Sequence, residues 1–201
     1  MVLRAAEPVM EDGLVFARYL DEAAEGFFRL MLGRRVGEIV ATAFTRPDNG
    51  YSYENVTFAE RDGVIVGAVS GYTSERYRRF ADRPLEEAAG GRAIRIRLVR
   101  RLCAPMWRIL ESLEDGDFYL QTIAVDQELR GEGVGSLLMD HVERLAAAGG
   151  AERLSLDVSA RNAGARRLYG RRGMSVSSEW PASPLVPSVL VRMTKLLQAT
   201  T

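Results

Sequence analysis

The sequence predicts an α/β fold whose sheet contains both parallel and antiparallel strands. Strand patterns over 56–60 and 64–69 flank Asp62-Gly63, a dipeptide favoured in two-residue hairpin turns, which join antiparallel strands. Strand and helix patterns then alternate from 118 to 194. A strand–helix–strand unit of this length brings its two strands together in parallel. The two observations together require a mixed sheet.

Length and composition exclude several classes of protein. The 201 residues fit one domain with a substantial core, and we expect residues 1–201 to form that domain. The 27 basic and 27 acidic residues cancel, which argues against a dedicated DNA-binding domain. A lone histidine, His141, cannot form a three-histidine zinc site, and lone Cys103 excludes an intrachain disulfide. Since neither a membrane span nor a signal peptide is evident, we expect a cytoplasmic protein without metal, nucleic-acid or membrane partners.

The amino-terminal half is predicted to be strand, helices, hairpin and further helices. A short strand over 2–5 precedes apolar spacings of three and four residues over 8–45, which predict helices. A cluster of turn formers over 46–50 ends this region and the hairpin follows. Residues 74–115 form a predicted helical insertion, in which Pro105 predicts a kink.

The carboxyl-terminal part is predicted to contain two strand–helix units and a final strand. In order, its elements are a strand over 118–125, a glycine-rich loop, a helix over 135–148, a strand over 153–158, a short helix over 162–172, and strands over 174–179 and 186–194. The alternation places the glycine-rich loop between a strand and the start of a helix.

This glycine-rich loop is the strongest chemical signal in the chain. Gly131, Gly133 and Gly135 occupy alternate positions. Glycine lets a ligand approach the backbone closely, and the start of the helix offers free N–H groups and a positive dipole end, which suits a phosphate or pyrophosphate. A tight turn that merely needs glycine is the alternative. No lysine follows Gly135 as a P-loop requires, and Ser136 stands where a Rossmann fingerprint has its third glycine, so neither nucleotide motif fits well.

Two sequence blocks resemble the GNAT family of N-acetyltransferases. Residues 122–138, which include the loop, resemble motif A of that family. Residues 156–174 resemble its second block, in which Asn162 is followed seven residues later by Tyr169. The similarity is closest to the branch that contains bacterial ribosomal-protein N-terminal acetyltransferases, and its specific part covers 118–179.

The resemblance implies a fold and an activity. The GNAT acyl-CoA acyltransferase fold is a mixed, mostly antiparallel twisted sheet flanked by helices, here with the insertion 74–115 before the central strand and an acetyl-CoA-binding core over 118–179. The implied activity is acetyl transfer from acetyl-CoA to a primary amine of a small molecule or peptide, by direct attack in a ternary complex. A catalytically idle acyl-CoA-binding or regulatory module is the alternative, and a protein that binds another nucleotide is a third hypothesis. The insertion could cover the acceptor cleft or form a homodimer face.

The resemblance also assigns roles to residues. Tyr169 corresponds to the general acid that protonates the departing thiolate, although a tyrosine on a short helix can simply pack. Asn162 corresponds to a contact with the cofactor arm, and it also suits a helix N-cap. The other cofactor-binding residues implied, which act through their backbone, are Ile123, Ala124, Val125, Arg130, Gly131, Glu132, Gly133, Val134, Gly135 and Ser136.

The general base is left open. Many relatives carry an acid on the strand at 118–125, but the inward-facing candidate here is Gln121, which cannot serve as a base. Asp117, Glu54 and Asp157 are the open candidates. We expect Cys103 to be a small core residue and His141 a surface or partly packed one.

The zero net charge is a sum of two unequal regions. Residues 76–108 contain ten arginines against three acids, and residues 7–38 contain seven acids against four arginines. The basic region is a solvated helix face or a site that attracts the phosphates of CoA or an acidic partner. In the family that the chain resembles, helices corresponding to the acidic region border the acceptor site, which favours a cationic amine acceptor.

Overall fold

A computed structural model of the chain describes residues 1–102, 112–181 and 189–197, and within them seven strands form one sheet. The strands are β1 (Val2–Ala5), β2 (Val56–Arg61), β3 (Val64–Thr73), β4 (Asp117–Val125), β5 (Arg153–Ser159), β6 (Ser175–Trp180) and β7 (Leu190–Leu196). Their order is β1-β2-β3-β4-β5-β7-β6, and β4 and β5 form the parallel pair among antiparallel neighbours. The predicted mixed, mostly antiparallel sheet is confirmed.

The described helices all lie between strands of this sheet along the chain. They are α1 (Met10–Ala23), α2 (Phe27–Leu32), α3 (Val36–Phe44), α4 (Ser74–Tyr77), α5 (Arg83–Ala89), α6 (Ala93–Leu102), α7 (Val134–Ala148) and α8 (Ala163–Arg171). The predicted helical region 8–45 is divided at Gly26 and Gly33, whose φ angles of 84° and 75° interrupt a right-handed helix. In the insertion, α4 to α6 are helical as predicted, and Cys103 and the kink at Pro105 lie outside the described residues.

The helices cover both faces of the sheet. On one face α1, α2 and α3 pack over the strands around Phe16, Phe44 and Phe58. On the other face α7 packs around Leu138 and Leu154. Burial of such side chains contributes about 1.5 to 3 kcal/mol each, so the two layers fix the sheet between them.

The central parallel pair separates before its strands end. Paired residues run from Asp117 opposite Arg153 to Leu120 opposite Leu156. Strand β4 continues beyond Leu120 to Val125, and β5 continues to Ser159. A gap therefore opens between β4 and β5 at their carboxyl-terminal ends.

A bulge in β4 lies where this gap begins. Ser70 of β3 opposes Thr122, but the next residue of β3, Gly71, opposes Leu120, so Gln121 has no partner. An extra residue in one strand bends it and increases its twist. Such a bend, placed where the pairing of β4 with β5 ends, gives a physical reason for the gap.

Candidate active site

The end of β4 presents unpaired backbone groups to the gap. The Asp126 N–H donates to the Val66 carbonyl of β3 at 3.0 Å. Because the backbone groups of a strand alternate in direction, Ala124 also faces β3, whereas Ile123 and Val125 face the gap. An extended ligand that carries amides can pair with such an open edge.

The glycine-rich loop forms the other half of the site. Gly131 and Gly133 have φ angles of 92° and 90°, and Gly133 is the N-cap residue of α7. A Cβ at either position would meet no heavy atom within 4 Å, so the left-handed backbone, and not crowding, requires glycine there. The loop therefore has space above its backbone in which a ligand can lie.

The loop also offers unpaired N–H donors. The first helical bond of α7 runs from the Leu137 N–H to the Gly133 carbonyl at 3.0 Å. Within the described part of the chain, no acceptor pairs with five amides that precede Leu137; these belong to Gly131, Gly133, Val134, Gly135 and Ser136. Such a set of donors at a helix start, where the dipole is positive, fits an anionic group such as a pyrophosphate.

Two predicted cofactor-binding residues in the loop are already paired. The backbone N–H groups of Arg130 and Glu132 donate to carbonyls of the preceding turn at 3.3 and 3.2 Å. Their side chains form ion pairs, Arg130 with Glu22 of α1 at 2.6 Å and Glu132 with Arg61 of β2 at 2.8 Å. These two residues therefore tie the loop to its neighbours, and the free donors are concentrated at the glycines and the helix start.

The second block contributes Asn162 and Tyr169. The Asn162 Oδ1 accepts from the Ala165 N–H at 3.0 Å and thereby caps α8, as the alternative reading predicts. Tyr169 is 6% exposed and packs in the core on the α7 side of the sheet. Among the described residues none hydrogen bonds to its hydroxyl, and burial raises the pKa of Tyr169 to about 12. The phenol is therefore protonated at neutral pH.

A cavity of about 370 Å³ lies beside the gap, against Gln121, Asp157 and Ser159 of β4 and β5. Its wall includes aromatic side chains from separate parts of the chain, namely Phe27, Phe28, Tyr51, Tyr72, Tyr77, Phe80 and Tyr119. Sequence reasoning missed this cavity because its rings come from α2, the turn before β2, β3, the insertion and β4, and share no motif.

Asp157 lines this cavity, and both of its carboxylate oxygens accept hydrogen bonds. The Arg192 guanidinium of β7 donates to both of its oxygens, at 3.0 and 2.7 Å, and the Tyr119 hydroxyl donates to Oδ2 at 3.1 Å. The Asp157 side chain is 2% exposed and that of Arg192 is 10% exposed. Burial, together with the nearby Asp157 charge, holds the pKa of Tyr119 well above its usual value. Asp157 is therefore an anchor for Arg192 and Tyr119 more than a free base.

The other base candidates are also paired. Asp117 begins β4, at the opposite end from the gap, and binds Arg153 at 2.6 Å. Glu54 binds Arg76 at 2.6 Å.

His141 lies on α7, and its Nε2 is 3.1 Å from Thr57 Oγ1. Burial, with a smaller effect of the Arg144 charge, lowers the pKa of His141.

In the part of the chain that the structure describes, no three His, Cys, Asp or Glu side chains are grouped as a metal site would need. No described helix has the length and hydropathy needed to cross a bilayer.

Solved structures resemble the whole chain. One crystal structure of an acetyltransferase is 25% identical, covers 98% of this chain and 100% of its own, and has a TM-score of 0.67. An N-acetyltransferase from Staphylococcus aureus Mu50 is 16% identical, with coverages of 97% and 100% and a TM-score of 0.67. The ribosomal-protein-S18-alanine N-acetyltransferase from Escherichia coli is 14% identical, with coverages of 100% and 96% and a TM-score of 0.52. At 16% and 14% identity, the likeness to these last two structures shows the fold alone.

The family comparison covers most of the sequence. None of the curated proteins compared with the chain matches it. The family model described as "Acetyltransferase (GNAT) family" matches residues 11–174, which include the gap, the glycine-rich loop, Asn162 and Tyr169. The chain therefore belongs to the GNAT acetyltransferase family.

Proposed function

We propose that the protein transfers an acetyl group from acetyl-CoA to a primary amine by direct attack in a ternary complex. The observation that carries this proposal is the pairing of a gap between β4 and β5 with a set of free N–H donors at the start of α7. A pyrophosphate fits the donors, and an amide-bearing arm fits the open edge at Ile123 and Val125. Bound there, acetyl-CoA supplies an activated thioester carbonyl.

The chain's own residues then act on that carbonyl. A backbone N–H at the free edge, from Ile123 or Val125, donates to the carbonyl oxygen as negative charge develops on it. The amine nitrogen forms a bond to the carbonyl carbon, the carbon–sulfur bond breaks, and the amine loses a proton. Asn162 holds the start of α8, which carries Tyr169, and in the proposal it also contacts the arm of the donor.

Tyr169 acts on the departing sulfur in this scheme. Its pKa of about 12 lies above the value of about 8.5 for a free thiol, so complete proton transfer to a thiolate is uphill. We therefore assign Tyr169 a hydrogen bond that stabilises the sulfur as it leaves, with the proton supplied finally from solvent. This refines the role of general acid that the resemblance implies.

The proton on the amine needs a different route. The carboxylates of Asp117, Glu54 and Asp157 are all bound to arginines. Gln121, which lines the cavity, accepts a hydrogen bond from Ser70 at 3.2 Å and has no basic form. In the proposal the ammonium therefore loses its first proton to solvent before attack, and the second proton, released as the carbon–nitrogen bond forms, passes to water in the cavity.

The test is release of CoA thiol from acetyl-CoA in the presence of a panel of primary amines. We expect release that depends on the amine, with the acetylated amine formed in equal amount. Tight binding of CoA without transfer to any amine would instead favour the idle acyl-CoA-binding module, which the paired carboxylates and Gln121 favour. Binding of ATP or NAD in place of CoA would contradict both.

Several finer predictions accompany this proposal. The likeness to the ribosomal-protein branch rests on the two sequence blocks, since the solved member of that branch is 14% identical. Four other expectations likewise stay predictions: one domain over residues 1–201, the core at 118–179, a cytoplasmic location and a homodimer through the insertion.

A further inference from the structure

We propose that the cavity beside the gap selects a primary amine carried on an aromatic group, an arylalkylamine. This inference rests on the proposed function, because it assigns the cavity to the acceptor. Gln121, Asp157 and Ser159 line the cavity, and they lie on the two strands that separate to form the gap. In the proposal the amine lies beside these three residues, next to the free edge of β4, and its ring contacts the aromatic side chains.

The cavity has the size and wall of a site for one ring. Its volume of about 370 Å³ lies within the range of small-molecule sites. Tyr72 stacks on Tyr77 with ring centroids 5.7 Å apart and meets the edge of Phe80 at 4.9 Å. Tyr119 lies 5.8 Å from Tyr72. A ring that enters this group gains offset-stacked or edge-to-face contacts, and an ammonium gains attraction to ring faces.

The charges of the cavity favour a single positive group. Asp157 is neutralised by Arg192 and hydrogen bonded by Tyr119, so it adds no free negative charge to the cavity. Glu25 lines the cavity but is exposed to solvent, where its carboxylate can attract a protonated amine to the mouth. A polyamine would bury several charges without a carboxylate to neutralise each of them, which is costly, whereas an arylalkylamine carries one charge and one ring.

Gly50 lines the cavity, and a larger side chain at this position can fill the cavity while every aromatic side chain of the wall is kept. A Cβ at Gly50 would lie 3.6 Å from Gln121 Nε2 and 3.7 Å from Phe80 Cδ2, both ordinary contact distances, so a larger side chain there extends into the cavity. Gly91 is the matched control, because a Cβ there meets no atom within 4 Å and the residue is exposed on the insertion.

The experiment measures kcat/KM of the full chain with acetyl-CoA and 2-phenylethylamine, ethylamine or spermidine. We expect 2-phenylethylamine to exceed both other amines by about tenfold or more, as pocket contacts of this kind discriminate. The Gly50→Leu variant should lose that preference by a rise in KM for 2-phenylethylamine, with KM for acetyl-CoA unchanged, whereas Gly91→Leu should keep it. As a second variant, Phe80→Leu removes one half-buried ring and should lower the preference several-fold.

The outcomes separate this inference from the proposed function. Equal kcat/KM values for ethylamine and 2-phenylethylamine would overturn the inference about the cavity, while the proposed acetyl transfer would still hold. A preference for octanoyl-CoA over acetyl-CoA that Gly50→Leu abolishes would also overturn it, because the cavity would then hold the acyl chain. Binding of acetyl-CoA with no transfer to any amine would overturn the proposed function itself.

Discussion

At the scale of single residues, Tyr169 affects the pH dependence of stability and, in the proposed mechanism, also stabilises the departing sulfur. Its phenol is buried on the α7 side of the sheet, and burial alone raises its pKa to about 12. In the unfolded chain a tyrosine has a pKa of about 10. The folded protein therefore keeps this proton over a range of pH in which the unfolded chain releases it.

The Tyr169→Phe variant tests both effects. Because the folded pKa is raised, the contribution of Tyr169 is fully present below pH 10 and is lost as pH rises to about 12, by about 2 to 3 kcal/mol in the free energy of unfolding. Urea unfolding at several alkaline pH values should show a smaller loss in the variant. Its kcat should fall about a hundredfold with unchanged CoA affinity, because the hydrogen bond to the departing sulfur is lost. An unchanged kcat on an identified amine would contradict the assigned role.

Asp157 acts at the same scale as the partner of a buried cation. Replacing it by asparagine in Asp157→Asn leaves the Arg192 guanidinium, 10% exposed, without its carboxylate. We expect the free energy of unfolding to fall by about 3 kcal/mol, because the buried guanidinium loses the carboxylate that neutralises it and keeps only its other contacts, such as that to the Ser112 carbonyl at 2.6 Å. The matched variant is Glu38→Gln, which breaks the exposed pair with Arg35 and should change stability by less than about 1 kcal/mol. Equal losses in the two variants would contradict the buried role.

At the scale of elements, the strand–loop–helix unit around Gly133 could be predicted from the sequence. The alternating glycines predict a loop whose backbone a ligand can approach, and the structure shows the positive φ angles and the free donors. The bulge at Gln121 could not be predicted, because it depends on how β3 and β4 pair. No local residue pattern indicates it. Local signals predict turns and caps, whereas register depends on the partner strand.

The Gly133→Ala variant tests the loop at this scale. A Cβ at φ 90° costs about 1 to 2 kcal/mol even though the space around it is open. Since the strain distorts the donor set, we expect the dissociation constant of CoA, measured by calorimetry, to rise about tenfold. Gly91→Ala also places a methyl group in open space, but without positive φ, and should leave the constant unchanged. Equal affinity in the two variants would show that the loop conformation is not needed for binding.

At the scale of the whole molecule, the sheet lies between the proposed donor site and the proposed acceptor site. The glycine-rich loop and α7 lie on one side, the aromatic cavity with α1 and α2 lies on the other, and the gap between β4 and β5 connects them. The sequence predicted the mixed sheet and the motif residues because both have local patterns. The cavity and the Asp157–Arg192 pair could not be predicted, because they join residues far apart in the chain.

In the proposed mechanism the acetyl group passes directly from acetyl-CoA to the amine through this gap. Initial velocities measured while the concentrations of both substrates are varied test this most directly. If amine and acetyl-CoA must occupy the protein together, double-reciprocal plots intersect, and the intact mass of protein incubated with acetyl-CoA alone is unchanged. Parallel lines, together with a mass increase of one acetyl group on the protein, would show a covalent acetyl-enzyme and contradict the account.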